Sequence, residues 1–231
     1  MLNKKKILGI LPMRSGSKGI KNKNLRLIKG KTLAWWTSKA LMCSKLIDFK
    51  ICCSDSKKLQ NIAKKNGMLI PWTRPKHLAK DKTEIVKVLI HAIKKLKSKN
   101  LSFDSIVIVQ ATSPFVKHNY IDDAIRLFYK TNSNVLISAT KLNNLNPEIL
   151  FEKRNNRVSW LVKGGKNYIQ RQKYSRNYYK RVGLIYILKV KKFMKTKNFV
   201  DKKTCIFQVP FKKSINIDNP KDLLEARKNF K

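Results

Sequence analysis

Ile7-Leu8-Gly9-Ile10-Leu11 runs directly into Pro12-Met13-Arg14-Ser15-Gly16-Ser17-Lys18-Gly19-Ile20-Lys21-Asn22-Lys23-Asn24, and this junction decides the fold. A short apolar run with no alternation reads as a strand buried on both faces, which is the signature of a parallel sheet covered by helices. The polar loop that follows lies where an open α/β sheet binds its ligands, at the carboxyl ends of the strands. Working outward, strand and helix patterns alternate. Leu33 to Leu46 has helical content, Lys50 to Cys53 reads as a second buried strand, and Ser54 or Asp55 is placed to cap a helix over Ser56 to Asn66. Gly67 stands in the C′ position of that helix, and Met68 to Pro71 reads as a short strand. Ile85, Leu89, Ile93 and Leu96 line one face of a helix over Glu84 to Lys97. Ser105 to Val109, a helix over Asn119 to Lys130 and Val135 to Ala139 continue the rhythm, which predicts a doubly wound, mostly parallel sheet in three layers.

From about Lys141 to Arg181 the rhythm breaks. This stretch is rich in Asn, Lys, Arg and Tyr, with Gly164-Gly165 marking a hairpin turn. It reads as a β-rich arm inserted in a single domain spanning 1–231. Val182 to Leu188 and Thr204 to Val209 return to strand character, and Asn219-Pro220 opens a last helix with Asn at the N-cap and Pro at the first helical position.

The chain has 231 residues, with 53 Lys+Arg against 13 Asp+Glu and a formal net charge of +40. Hydrophobic residues at 42% supply a core, which excludes a wholly disordered chain. No apolar run approaches the ~20 residues of a membrane span. Lys4-Lys5-Lys6 before Ile7 to Met13 is too brief for a signal peptide, because Arg14 closes the run and no small-residue cleavage site follows. A cytoplasmic protein without membrane insertion is expected. The charge raises nucleic acid as a ligand, but the lysines are spread along the chain, many on polar helix faces such as Lys94, Lys95 and Lys97. No basic motif with interleaved aromatics stands out, so nucleic acid is not expected as the main ligand. The same field attracts small anions. Cys43, Cys52, Cys53 and Cys205 form no C-x-x-C pair and are read as buried reduced thiols. His77, His91 and His118 lack ligand spacing, and Trp35 and Trp36 are expected to pack a helix against the sheet.

The loop after the first strand carries the chemistry. Gly16 and Gly19 free the backbone to turn N–H groups inward as an anion nest. Arg14, Lys18 and Lys23 add charge for a polyphosphate, and Ser15 and Ser17 add hydroxyl donors. G-x-G-x-x-G is absent, and Gly30-Lys31-Thr32 lacks the Walker glycine because position 25 is Leu.

This segment resembles the N-terminal signature of the acylneuraminate cytidylyltransferases, the CMP-sialic acid synthetase family. The resemblance continues in order along the chain: Ser54-Asp55; Arg74-Pro75 followed by Leu78-Ala79 and Asp81-x-Thr83; Gln110-Ala111-Thr112-Ser113-Pro114; Arg171-Gln172; Gly183-x-Ile185-Tyr186; and Ser214-Ile215-Asn216-Ile217-Asp218. It implies a Rossmann-like fold of the nucleotide-diphospho-sugar transferase type, and a nucleotidyltransferase that joins CTP to a nine-carbon α-keto acid sugar, releasing pyrophosphate. It further implies a Mg²⁺ cofactor, a homodimer formed through the arm, and service to surface glycan assembly. Arg14 and Lys23 would contact the triphosphate. Asn24 and Arg74 would hold the nucleotide, and Ser15, Gly16, Ser17, Lys18 and Gly19 would form the loop. Gln110, Arg171, Gln172 and Tyr186 would line the sugar side, and Asp218 with Asn216 would hold the metal.

Two positions depart from the family pattern. Its metal motif is Asp-x-Asp, whereas here Asn216 precedes Asp218. Residues two apart on a strand share a face, so both side chains are expected to point at one cation. Val182 stands where the sialic acid enzymes carry Asn, which leaves room for legionaminate or pseudaminate as the sugar. A CMP-Kdo synthase on the same fold and a degenerate nucleotide-binding protein are the alternative readings.

Overall fold

The computed structural model describes residues 5–17, 19–142, 147–162 and 177–230. Its first strand, β1 (Ile7–Pro12), leads through the glycine-containing loop to a small hairpin of β2 (Leu27–Ile28) and β3 (Lys31–Thr32). Lys29 and Gly30 both take positive φ, 46° and 71°, as a tight two-residue hairpin turn requires. Then come α1 (Leu33–Cys43), β4 (Phe49–Cys53), α2 (Lys57–Lys65), α3 (Ile85–Lys97), β5 (Ser105–Val109), α4 (His118–Lys130) and β6 (Val135–Lys141). A hairpin of β7 (Phe151–Arg154) and β8 (Arg157–Trp160) precedes β9 (Tyr179–Lys189), α5 (Val190–Thr196), β10 (Thr204–Gln208) and α6 (Pro220–Asn229).

The six long strands form one sheet in the order β10-β6-β9-β5-β1-β4. Pairings of β1 with β4 and β5, and of β10 with β6, are parallel, while β9 runs antiparallel to both β5 and β6. The reversal follows from the connection. Parallel neighbours need a crossover, but β6 reaches β9 through the arm and can return beside it in the opposite sense. Where they pair, the register shifts between Ile137 and Ala139. The buried Ser138 hydroxyl fills that irregularity, donating to Val182 O at 2.8 Å and accepting from Ile185 N at 3.0 Å.

Alternate residues of the strands feed two cores. Ile7, Leu11, Cys52, Val107 and Val109 lie with α4 residues Ile121, Ile125 and Phe128 on one face. Leu8, Ile10, Ile51, Cys53, Ile106 and Ile108 lie with α3 residues Val88, Leu89 and Leu96 on the other. A third cluster joins Ile20, Ile28, Leu33, Phe115, Ile217 and Leu223. It welds α6 and the segment before it onto the loop after β1. Trp36 belongs here rather than on the sheet: its ring lies 4.7 Å from Phe230 and its indole donates to Ile28 O at 2.9 Å.

Several local expectations are refined. Ser56, not Ser54 or Asp55, caps α2, accepting from Leu59 N at 3.4 Å, and Gly67 takes φ 98° behind that helix. Met68 to Pro71 makes only an isolated bridge, Ile51 to Leu69, rather than a strand. α6 carries a full capping box, Asn219 with Asp222, and Pro220 at its start. The α5 helix was not foreseen. The arm holds a hairpin with its turn at Asn155-Asn156; the turn expected at Gly164-Gly165 lies outside the described residues. No helix among the described residues is long and apolar enough to cross a membrane.

Cys52 and Cys53 are buried, and burial pushes their thiols up to about 12 and about 11. Cys43 differs from expectation in being exposed at the end of α1. Iodoacetamide at pH 8 is therefore expected to label Cys43 in the folded protein, and Cys52 and Cys53 only after denaturation, because the thiolate is the reacting species. Peptide mass mapping of native and unfolded samples checks this; early labelling of Cys52 or Cys53 would contradict the burial.

Candidate active site

Sheet order turns at β1, with β4 on one side and β5 on the other, and the crevice beyond their carboxyl ends is the natural ligand site of such a sheet. Pro12 is in register with Cys53, and Met13 N donates to Cys53 O at 3.0 Å, so the loop leaves β1 beside the end of β4. Asn24, buried on a short 3-10 turn, donates from Nδ2 to Arg14 O at 3.0 Å and ties the two ends of the loop together. Gly19 passes so close to the carbonyl of Asp218 that no side chain fits there. A cavity of about 540 Å³ results, walled by Arg14, Lys23, Asn24, Arg74, Gln110 and Asp218 among others. Ser17 and Gly19 also line it, and Lys18 lies outside the described residues.

Two of the cavity's cations are ion-paired. Arg14 forms an ion pair with Asp81, and Lys23 Nζ meets Asp218 Oδ1 at 2.8 Å. Arg74 is 5% exposed and donates from Nε to Leu78 O at 2.9 Å, with Nη2 directed at the same oxygen. Burial lowers its pKa, Asp55 opposes that shift, and Arg14 adds to it, so the two guanidinium groups share one electrostatic neighbourhood. A guanidinium stays charged under such shifts. Ser15 does not present its donors to the cavity: its N–H and hydroxyl both go to the Asp55 carboxylate, at 2.9 and 2.6 Å.

Beyond β5, the Gln110–Pro114 segment meets the chain before α6. Ile217 N donates to Thr112 O at 2.9 Å while the Ile217 side chain is fully buried. Asn216 and Asp218 therefore share a side, as expected, though on an extended loop rather than a strand. The Asn216 amide is oriented by its neighbours. Asp218 Oδ2, 2.7 Å away, can only accept, so the amide nitrogen faces it. The amide oxygen turns instead to the hydroxyls of Thr112 and Ser113. In this arrangement Asn216 is a donor to Asp218, which differs from the expectation of two oxygens aimed at one cation.

A second compartment of about 300 Å³ adjoins the first, lined by Lys180, Arg181, Val182, Phe211 and Asn216, and sharing Asp218 with it. Gly183 lies in its wall directly against the Gln110 carboxamide, which a Cβ would strike. Tyr186, expected beside Gln110, lines neither compartment. It is 7% exposed in the core under α3 and α5, with its ring 5.6 Å from Phe199 and its pKa raised by burial. Arg171 and Gln172 lie outside the described residues. Sequence reasoning assigned no partner to Asp81 and gave Asp55 only a capping role. Both had been quoted in motifs, yet their partners sit 67 and 40 positions away.

A family model described as Cytidylyltransferase matches residues 8–229. The CMP-N,N'-diacetyllegionaminic acid synthase of Legionella pneumophila is 33% identical over 131 residues, 57% of this chain and 56% of that protein. The N-acylneuraminate cytidylyltransferase of Escherichia coli is 28% identical over 228 residues, 94% of this chain and 50% of that protein. The matches thus span about half the length of these two relatives. The pseudaminic acid cytidylyltransferase of Campylobacter jejuni is 26% identical over 226 residues and is matched nearly end to end, 98% of this chain and 97% of that protein. Among solved structures, a CMP:2-keto-3-deoxy-manno-octonic acid synthetase complexed with CTP superposes with a TM-score of 0.69 at 15% identity, covering 96% of this chain and 97% of that one, a likeness of fold. From β1 to the last helix, the chain belongs to the cytidylyltransferase family.

Proposed function

We propose that the protein transfers CMP from CTP to a nine-carbon α-keto acid sugar in the cytoplasm. The observation that carries this reading is one carboxylate, Asp218, standing between two compartments. The larger is bordered by Arg14, Lys23 and Arg74 and suits a triphosphate; the smaller has Lys180 and Arg181 together with Asp222 and Glu225 in its wall, donors and acceptors that suit the carboxylate and hydroxyls of a sugar acid. The anomeric hydroxyl attacks the α-phosphorus and gives its proton up to solvent, the bond from that phosphorus to the α,β-bridging oxygen breaks, and pyrophosphate departs with the charge. Such a transfer needs alignment and charge neutralisation more than covalent catalysis, and paired cations plus backbone donors supply both. Arg14 and Lys23 exchange their carboxylate partners for phosphate oxygens as CTP enters.

Among the described residues no cluster of three or more His, Cys, Asp or Glu forms an all-protein metal site. That donor set fits Mg²⁺, which is commonly held by one or two carboxylates together with substrate phosphates. Asp218 would hold it, and the ion would offset charge on the phosphates. Asn216→Asp places a second carboxylate beside Asp218, and we expect it to lower the Mg²⁺ concentration at half-maximal rate several-fold. A magnesium titration of the rate checks this; an unchanged midpoint removes position 216 from the metal's surroundings. The β7–β8 hairpin exposes Phe151, Val158 and Trp160, at 55%, 65% and 38%, an apolar surface that a second copy of the chain would cover in a homodimer.

The test is pyrophosphate release with CTP and Mg²⁺ across N-acetylneuraminate, legionaminate, pseudaminate and Kdo. Release with one of the nine-carbon sugars supports the reading and names the substrate. Release with Kdo alone replaces it with the eight-carbon relative, and CTP binding without release from any sugar points to a nucleotide-binding protein without turnover.

A further inference from the structure

Resting on the cytidylyltransferase reading above, we propose that Asp55 is a positioning residue of the nucleotide site and that Ser15 is the point at which it grips the loop, rather than a phosphate donor. The geometry is set by two parallel strands. β1 and β4 run in register to Pro12 and Cys53, and Met13 N extends the ladder by one bond to Cys53 O. Two residues past that pair, the Asp55 carboxylate spends one oxygen on Ser15 N, at 2.9 Å, and the other on Ser15 Oγ, at 2.6 Å. Hydrogen bonds to an ionised acceptor are roughly twice as strong as neutral ones. Both of Ser15's donors are consumed, so the anion-facing donors of the loop are those beyond it.

Asp55 is itself held as a rigid post. On its N-terminal side the fully buried Ser54 accepts at its carbonyl from Arg74 N at 2.9 Å and from Gln60 Nε2 at 2.8 Å. On its C-terminal side Ser56 caps α2. The loop is thus pinned twice within two residues: Arg14 O by Asn24 and Ser15 N by Asp55. Arg14 is the residue between these pins, so its guanidinium departs from a backbone that is placed before nucleotide arrives. A carboxylate this near a triphosphate site repels the ligand, and Arg14 and Arg74, both lining the cavity, offset that repulsion. What the site gains is a fixed origin for its first cation, and misplacing a contacting group by ~1 Å can cost ~100-fold in rate.

Chemistry separates this role from that of a metal ligand or base. Asparagine at 55 keeps both contacts without charge: its carbonyl oxygen accepts from Ser15 N–H, and its amide donates to Ser15 Oγ, which can also accept. Alanine keeps neither. In the full chain, kcat and KM are to be measured by pyrophosphate release and CTP affinity by calorimetry, for Asp55→Ala, Asp55→Asn, Ser15→Ala and the Asp55→Ala/Ser15→Ala double variant. Asp55→Ala is expected to lower kcat/KM for CTP by ~100-fold. Asp55→Asn should restore it to within a few-fold, and the double variant should be no worse than Asp55→Ala, since both act through one contact. The half-saturating Mg²⁺ concentration should stay constant through the series. Asparagine as damaging as alanine, a shifted Mg²⁺ midpoint, or additive losses in the double variant overturns the proposal. If wild-type protein binds no CTP, the activity reading itself fails. The contact is then read by hydrogen exchange at the Ser15 amide, protected in wild type and Asp55→Asn and fast in Asp55→Ala; equal exchange in all three overturns it.

Discussion

Replacing Gly19 with alanine should cost this protein most of its turnover, by ~100-fold or more, although a single methyl is added to an exposed loop. A Cβ at Gly19 would land on the carbonyl oxygen of Asp218, a backbone atom that cannot swing aside as a side chain would. Something must shift, and the cost of such overpacking is about 1–3 kcal/mol. The shift is expressed where the loop and the segment before α6 meet, so it separates Lys23 from Asp218 and opens the cavity. Gly16→Ala is the matched control, since a Cβ there meets only Arg14 Nη1, at 3.6 Å, an ordinary contact. Steady-state kinetics and melting curves of the two variants decide the matter. Equal activity would mean that the loop does not lie against Asp218 in solution.

Asp218→Ala should show the second large effect: a loss of ~100- to 1,000-fold in kcat, with CTP still bound weakly. Asp218 is the one carboxylate common to both compartments, it accepts from Asn216, and it neutralises Lys23. Its removal leaves Lys23 unbalanced toward the phosphates, so binding survives while the junction loses its charge. The Mg²⁺ dependence is the discriminating measurement. An unchanged rate at limiting Mg²⁺ would take Asp218 out of the metal's surroundings, whatever its effect on Lys23.

Much of the fold was legible because its local signals are strong. A five-residue apolar run into a glycine-containing cationic loop reads as a buried strand, and β1 is one, its loop lining the cavity. Asn219-Pro220 announced α6, and the two bonds of the capping box are in place. Strand direction is another matter. Val182 to Leu188 reads as an apolar run in either sense, so nothing local reveals that β9 is reversed; that depends on how the chain returns from β6, by an arm in which the described residues form a hairpin. α5 is a helix of 7 residues with Val190, Phe193 and Met194 among lysines, too short for periodicity to register. In the site, Arg14, Ser17, Gly19, Lys23 and Asn24 of the loop meet Gln110 and Asp218 around one cavity as their motifs implied, while Ser15 turns to Asp55. Tyr186 does not join them, because neighbours on a strand face opposite ways: Ile185 and Ile187 feed one core, Tyr186 and Leu188 the other. The Arg14–Asp81 pair and the Asp55 clamp join chain segments that only the folded topology brings together, and a motif read in isolation carries no partner.

The reversed strand has an evolutionary consequence. Because β6 and β9 are neighbours running in opposite directions, everything between them is the loop of one oversized hairpin. Lengthening a loop is cheap in closure entropy, about 0.6 kcal/mol for each doubling, and leaves the order of the sheet untouched. The arm is therefore the part of this architecture most open to change of length or sequence. A lineage could remodel it to meet a new sugar or a new neighbour while β1, β5 and the nucleotide loop stay as they are. On the activity proposed above, an acceptor that varies and a nucleotide that does not would be two outcomes of one antiparallel pairing.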